Sequence, residues 1–154
     1  MIATETLWRY REAVAEDVPR LVTMLRTFVT STKYRKFVGA SDAHLETFLT
    51  SLIGQIDRRV FVAEKNDAVV GMIGVLAYVH PMSGELCAGE LFWWLDPEQR
   101  GAGGFLLRRA EKWARSVGAV SLQMIAPADK PRVAAMYERL GYEHVESMYH
   151  VRLT

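Results

Sequence analysis

The stretch DPEQRGAGGFLLRRAEKWA, residues 96–114, places Arg100 and the glycines Gly101, Gly103 and Gly104 between an apolar strand-like run and an amphipathic helical pattern. A helix N-terminus offers unpaired backbone N–H groups and a partial positive charge, and glycines there let an anion come close to the main chain. Phosphate is the natural anion for such a loop. The P-loop pattern fails, because no Lys-Ser or Lys-Thr follows the glycines. The dinucleotide pattern Gly-x-Gly-x-x-Gly is only half present: Gly101 and Gly103 fit, Leu106 occupies the third position, and the strand ends too far upstream. A glycine-rich turn holding no ligand stays open beside the anion-binding reading.

Two further side chains could do proton chemistry. Glu90 opens the aromatic run ELFWWL and, with regular strand alternation, shares a side with Phe92 and Trp94. It reads either as a reactive carboxylate or as a strand-end charge, solvated or paired with an arginine. Glu85 is the alternative carboxylate. Tyr137 follows Val133 by four residues and precedes Leu140 by three, which puts it on a buried helix face, where a backbone acceptor could also satisfy its hydroxyl. His44, His80, His144 and His150 show no metal-ligand spacing, and Cys87 is the only cysteine, so neither a metal site nor an intrachain disulfide is expected.

Composition narrows the class of protein. Half of the 154 residues are apolar and 24% are charged, which excludes a disordered chain. The formal charge is only +1, and Trp93, Trp94 and Trp113 are not interleaved with a basic cluster, so no nucleic-acid partner is expected. Arg108, Arg109, Lys112 and Arg115 read as a solvated helix face. No apolar window approaches a membrane span and the first residues lack the apolar core of a leader, which predicts a soluble, cytoplasmic protein without a membrane partner.

The elements that must position these residues follow from local pattern. LWRYREAV alternates as a strand, and Glu16, Asp17 and Pro19 open a helix continued by Leu21, Leu25 and Phe28. TSTKYRKFVGAS has no sustained period and reads as a loop with at most a helical turn. Ser41 caps a second helix with the stripe Leu45, Phe48, Leu49, Leu52 and Ile53. RRVFVAEK and AVVGMIGVLAYVH form a hairpin about Asn66-Asp67. PMSGELCAG reads as a surface connection, and ELFWWL as a central strand. The helix after the glycine loop ends at Gly118. AVSLQMIA is another strand, DKPRVAAMYERL a helix closed by Gly141, and YEHVESMYHVRLT a last strand or bent pair of strands.

This order of elements, with LDPEQRGAG before one helix and KPRVAAMYERLGYE forming another, resembles the GNAT superfamily of acyl-CoA-dependent N-acyltransferases over nearly the whole chain. GELFWW and YERLGY resemble most closely the phage- and prophage-associated GNAT proteins. The resemblance implies a single domain over residues 1–154, an α/β (α+β) three-layer fold with a mixed, mostly antiparallel sheet of six or seven strands flanked by helices, and acetyl-CoA in the gap between ELFWWL and SLQMIA. It implies acetyl transfer to a primary amine, on a small molecule or a protein, by direct attack in a ternary complex, with no metal. A homodimer is allowed.

The resemblance also implies roles. Backbone amides of Trp93, Trp94 and Leu95 would hold the pantetheine and polarise the thioester, and Arg100, Gly101, Ala102, Gly103, Gly104 and Phe105 would bind the pyrophosphate. Lys130, where many members carry asparagine, would meet the pantetheine arm or a CoA phosphate. The loop is shorter than the family's usual Arg-Gly-x-Gly-x-Gly. Glu90 would be the general base, with Glu85 as alternative, and Tyr137 the acid that protonates the leaving thiolate. The second expectation is a non-catalytic acyl-CoA binder, a sensor or scaffold that keeps the loop without needing Glu90 or Tyr137.

Overall fold

The computed structural model describes residues 6–99 and 101–154, so Arg100 lies outside the described residues. β2 (Arg58–Lys65) and β3 (Ala68–Val79) form the predicted hairpin. Asn66 and Asp67 turn it with φ of 50° and 65°, the left-handed pair that a two-residue hairpin needs and that Asn and Asp tolerate best after glycine. β1 (Trp8–Glu12) pairs with β2, and β4 (Leu86–Leu95) with β3, all antiparallel. β5 (Leu122–Gln123) runs parallel to β4, giving the order β1-β2-β3-β4-β5.

Both faces of this sheet are covered, which explains why Val60, Phe61, Val62 and Ala63 are all buried in succession. Val60, Val62, Met72 and Phe92 pack on α1 (Val18–Ser31) and α2 (Asp42–Leu52), through Leu21, Met24 and Leu49. Phe61, Ala63, Ile73 and Val75 pack on α3 (Gly104–Ser116), through Leu106, Ala110 and Trp113. Ser41 caps α2 as its type predicts, accepting from His44 N at 3.2 Å. Gly118 (φ 84°) follows α3, and Gly141 (φ 89°) follows α4 (Pro131–Arg139).

Four expectations need correction. The sheet has five strands among the described residues, not six or seven. Residues 142–154, expected as a last strand or bent pair of strands, form no ladder, and Val145, Met148, Tyr149, Val151 and Leu153 are exposed. Alternation alone does not make a strand; a partner edge must bond it. β4 begins at Leu86, inside the expected surface connection, because Leu86 to Gly89 already pair with Val79 to Leu76.

The fourth correction bears on chemistry. Phe92 faces Gly74 and Glu90 faces Val75, so two steps along β4 match one along β3 and Leu91 is an extra residue, a β-bulge. A bulge reverses the sides of the residues beyond it. Glu90 therefore does not share a face with Phe92 and Trp94; like Val75 it faces the side that carries α3.

Candidate active site

β4 and β5 are joined only through Ala88–Leu122 and Gly89–Gln123. Beyond this point the strands separate, and Ile125 would lose its backbone partners if no side chain replaced them. Glu90 Oε2 accepts from Ile125 N at 3.0 Å, and the Tyr137 hydroxyl lies 3.3 Å from Ile125 O and 3.4 Å from Glu90 Oε2. The carboxylate and the phenol thus meet where the sheet opens. The bulge turns Glu90 toward this point, and the buried face of α4 delivers Tyr137.

Burial pushes the Glu90 carboxyl up to about 7, against the Ile125 N–H and the Tyr137 hydroxyl, which both favour the anion. Burial, followed by the neighbouring Glu90 charge, pushes Tyr137 above the ordinary phenol range, so it stays a donor. One carboxyl can therefore exchange a proton near neutrality beside a hydroxyl that holds its own.

This environment has a stability consequence. The native state binds the Glu90 proton more tightly than the unfolded chain, so the stability from that proton is complete below about pH 4.5 and is lost as pH rises through about 7. The full span corresponds to roughly 3 kcal/mol. Glu90→Gln stays neutral, so its stability relative to wild type should increase by that amount between pH 4.5 and pH 8, read from urea melts of both proteins. A constant difference across this range would show that the carboxyl titrates normally.

The opening forms part of a cavity of about 1030 Å³ that reaches the glycine loop. Gly101, with φ of 106°, requires glycine there, while Gly103 lies so close to the Trp93 indole that a Cβ would stand 3.1 Å from Cζ2. α3 begins at Gly104, so the amides of Gly104 and Phe105 have no intrahelical carbonyl to bond. Trp93, Trp94, Leu95, Gly101, Gly103, Gly104 and Lys130 line the cavity. Ala102 and Phe105 do not: the Ala102 carbonyl accepts from the Tyr10 hydroxyl at 3.5 Å, and the Phe105 ring stacks on Tyr10 at 4.9 Å beneath Arg108. Only their backbones could take part in the anion site. Glu85 stands exposed in the turn before β4, outside the cavity lining, so the structure brings Glu90 and not Glu85 to Tyr137.

Two parts of the site were missed in the sequence. Arg20 Nη2 donates to Asp96 Oδ2 at 2.5 Å, and Trp94 Nε1 donates to Asp96 Oδ1 at 3.1 Å, which fixes the end of β4 against α1. The wall opposite the glycine loop comes from α1, α2 and the short turn Lys33–Lys36 between them, with Phe28, Tyr34 and Phe48. Phe28 and Phe48 read from the sequence only as helix-stripe residues, and the one local signal for Tyr34 was the aromatic content of TSTKYRKFV, which periodicity does not register. No group of three or more His, Cys, Asp and Glu able to hold a metal occurs among the described residues, and no helix there is long and apolar enough to cross a membrane.

Comparison with known proteins gives the same architecture. The model of the Acetyltransferase (GNAT) family matches residues 22–142. A transcriptional regulator from Bacillus halodurans C-125 shares 21% identity over 94% of this chain and 100% of its own, with a TM-score of 0.77. A predicted acetyltransferase from Clostridium acetobutylicum, solved with acetyl-CoA, shares 16% over 96% and 97%, with a TM-score of 0.75. The aminoglycoside antibiotic 6'-N-acetyltransferase of Acinetobacter haemolyticus shares 16% over 95% and 98%, with a TM-score of 0.72. At these identities the likeness concerns the fold.

Proposed function

Because the chain belongs to the Acetyltransferase (GNAT) family, we propose that it transfers the acetyl group of acetyl-CoA to a primary amine by direct attack in a ternary complex. The observation that carries this reading is the meeting of Glu90 and Tyr137 where β4 and β5 part. The thioester would lie in that gap, with its diphosphate at the N-terminus of α3, its pantetheine along Trp93 to Leu95 and Lys130 near a phosphate. The glycine loop fits an anion, because Gly103 is packed without a side chain against Trp93 and the first amides of α3 are free of intrahelical partners.

In the proposed reaction the neutral amine attacks the thioester carbonyl and forms the C–N bond. The Glu90 carboxylate, directly or through one water, takes the proton that the nitrogen must lose. The C–S bond then breaks, and Tyr137 gives its proton to the thiolate. Glu90, now protonated and 3.4 Å away, returns a proton to Tyr137, so both side chains end as they began and the amine proton resides on the CoA thiol. Placing the two substrates side by side supplies much of the remaining rate, up to roughly 7–11 kcal/mol for well-oriented pairs.

Acetyl-CoA and CoA should raise the melting temperature, by mass action on the native state, and NAD and ATP should do so far less. Equal stabilisation by NAD would overturn the assignment of the loop. The same hydrogen bonds support a second reading: Glu90 and Tyr137 satisfy the two backbone groups of Ile125, which would suffice for an acyl-CoA binder with no turnover.

A further inference from the structure

The acceptor side of the cavity carries its own chemical information. With the diphosphate end of acetyl-CoA at the glycine loop, the wall left for the amine is the one built by α1, the 33–36 turn and α2. Phe28 and Tyr34 form one ring pair there, with centroids 6.0 Å apart, and Phe48 meets Phe92 edge-on at 6.1 Å. Val38 and Leu45 extend the apolar surface. Its aliphatic hydroxyls are engaged locally: Thr27 Oγ1 donates to Thr23 O, Ser31 Oγ to Phe28 O and Thr32 Oγ1 to Val29 O.

Charge points the same way. No lining residue from these three segments is acidic, and the one guanidinium among them, Arg20, is bound to Asp96. Of the lining carboxylates, Asp96 is engaged by Arg20 and Trp94, Glu98 precedes the glycine loop, and Glu90 stands at the reaction point. An acceptor bearing several ammonium groups would have to strip water from those set against the α1–α2 wall without a carboxylate there to replace it. A ring-sized apolar body would instead bury its surface against Phe28, Tyr34 and Phe48 and leave one amine to meet Glu90.

We infer that the acceptor is a primary amine carried on an apolar, aromatic-sized body, and that the α1–α2 wall selects against polycations; this rests on the acetyltransferase reading above. The experiment measures kcat/KM with acetyl-CoA for 2-phenylethylamine, spermidine and kanamycin, alongside the melting shift caused by acetyl-CoA alone. Phenylethylamine should exceed both polycations by about 100-fold or more. Tyr34→Ala should raise the KM for phenylethylamine about tenfold and leave its kcat and the acetyl-CoA melting shift unchanged. Thr27→Asp, on the same wall, should narrow the gap between spermidine and phenylethylamine. Preferred turnover of spermidine or kanamycin would overturn the inference and leave the enzyme reading standing. A normal acetyl-CoA shift with no turnover of phenylethylamine would also overturn it, and loss of the acetyl-CoA shift itself would remove the reading beneath it.

Discussion

Tyr137→Phe is expected to lower kcat about 100-fold while CoA affinity stays close to that of the wild type. The ring of Tyr137 is buried beside Trp93, at 6.1 Å, and Tyr142, at 5.5 Å, and phenylalanine preserves these contacts. What is lost is the hydroxyl between Ile125 O and Glu90. As a structural group it contributes about 1 kcal/mol, rising to about 3 if the Ile125 carbonyl is left dry, which a melting curve would register. As an acid it acts only when the C–S bond breaks, so its loss falls on kcat and not on binding. Full turnover in a variant with an altered melting temperature would make Tyr137 a strut for the open sheet and favour the binder over the enzyme.

The partner of that hydroxyl sharpens the test. A proton passed from the amine to Glu90, then to Tyr137 and the thiolate, makes the two residues one device. Groups that act as a unit are non-additive, so Glu90→Gln together with Tyr137→Phe should cost about as much as the worse single change. Independent roles would multiply the two losses. The Glu90→Gln loss should shrink as pH rises and more of the amine deprotonates unaided.

The parts of this site that were legible in the sequence are those fixed within a few residues of themselves. The Ser41 cap, the Asn66-Asp67 turn and the glycine stop after α3 each depend on a neighbouring N–H or on a positive φ, and residue type reports both. Glu90 and Tyr137 were legible as candidates, but not as a pair. Their meeting depends on the extra residue Leu91, which no alternation pattern around ELFWWL reveals, because a bulge is settled by the partner strand. The expected terminal strand failed for the same reason: residues 142–154 alternate well enough, yet pairing is decided across the fold. The acceptor wall was hidden because Phe28 lies on a helix stripe that also builds the core, and Tyr34 lies in a segment without a period.

Gly103→Asp is expected to weaken CoA binding by about 100-fold or more while the free protein keeps its stability. Gly103 caps α3 with φ of −68° and ψ of −24°, a conformation open to any residue, so the substitution brings no backbone strain. The new Cβ would stand 3.1 Å from the Trp93 ring, a contact that needs the indole to yield by a few tenths of an ångström. Against that cost, a carboxylate at the positive end of α3 gains roughly 0.3–1 kcal/mol. The free protein therefore loses little. The diphosphate loses the close approach that a bare backbone permits, and it meets a negative charge occupying its own place at the helix end. Gly103→Ala separates the two effects, since it adds the Cβ without the charge and should cost only a small part of the affinity. Isothermal titration with CoA, beside the melting temperature of each free variant, makes the comparison. Wild-type affinity in a folded Gly103→Asp protein would place the diphosphate elsewhere and return the glycine loop to an ordinary turn.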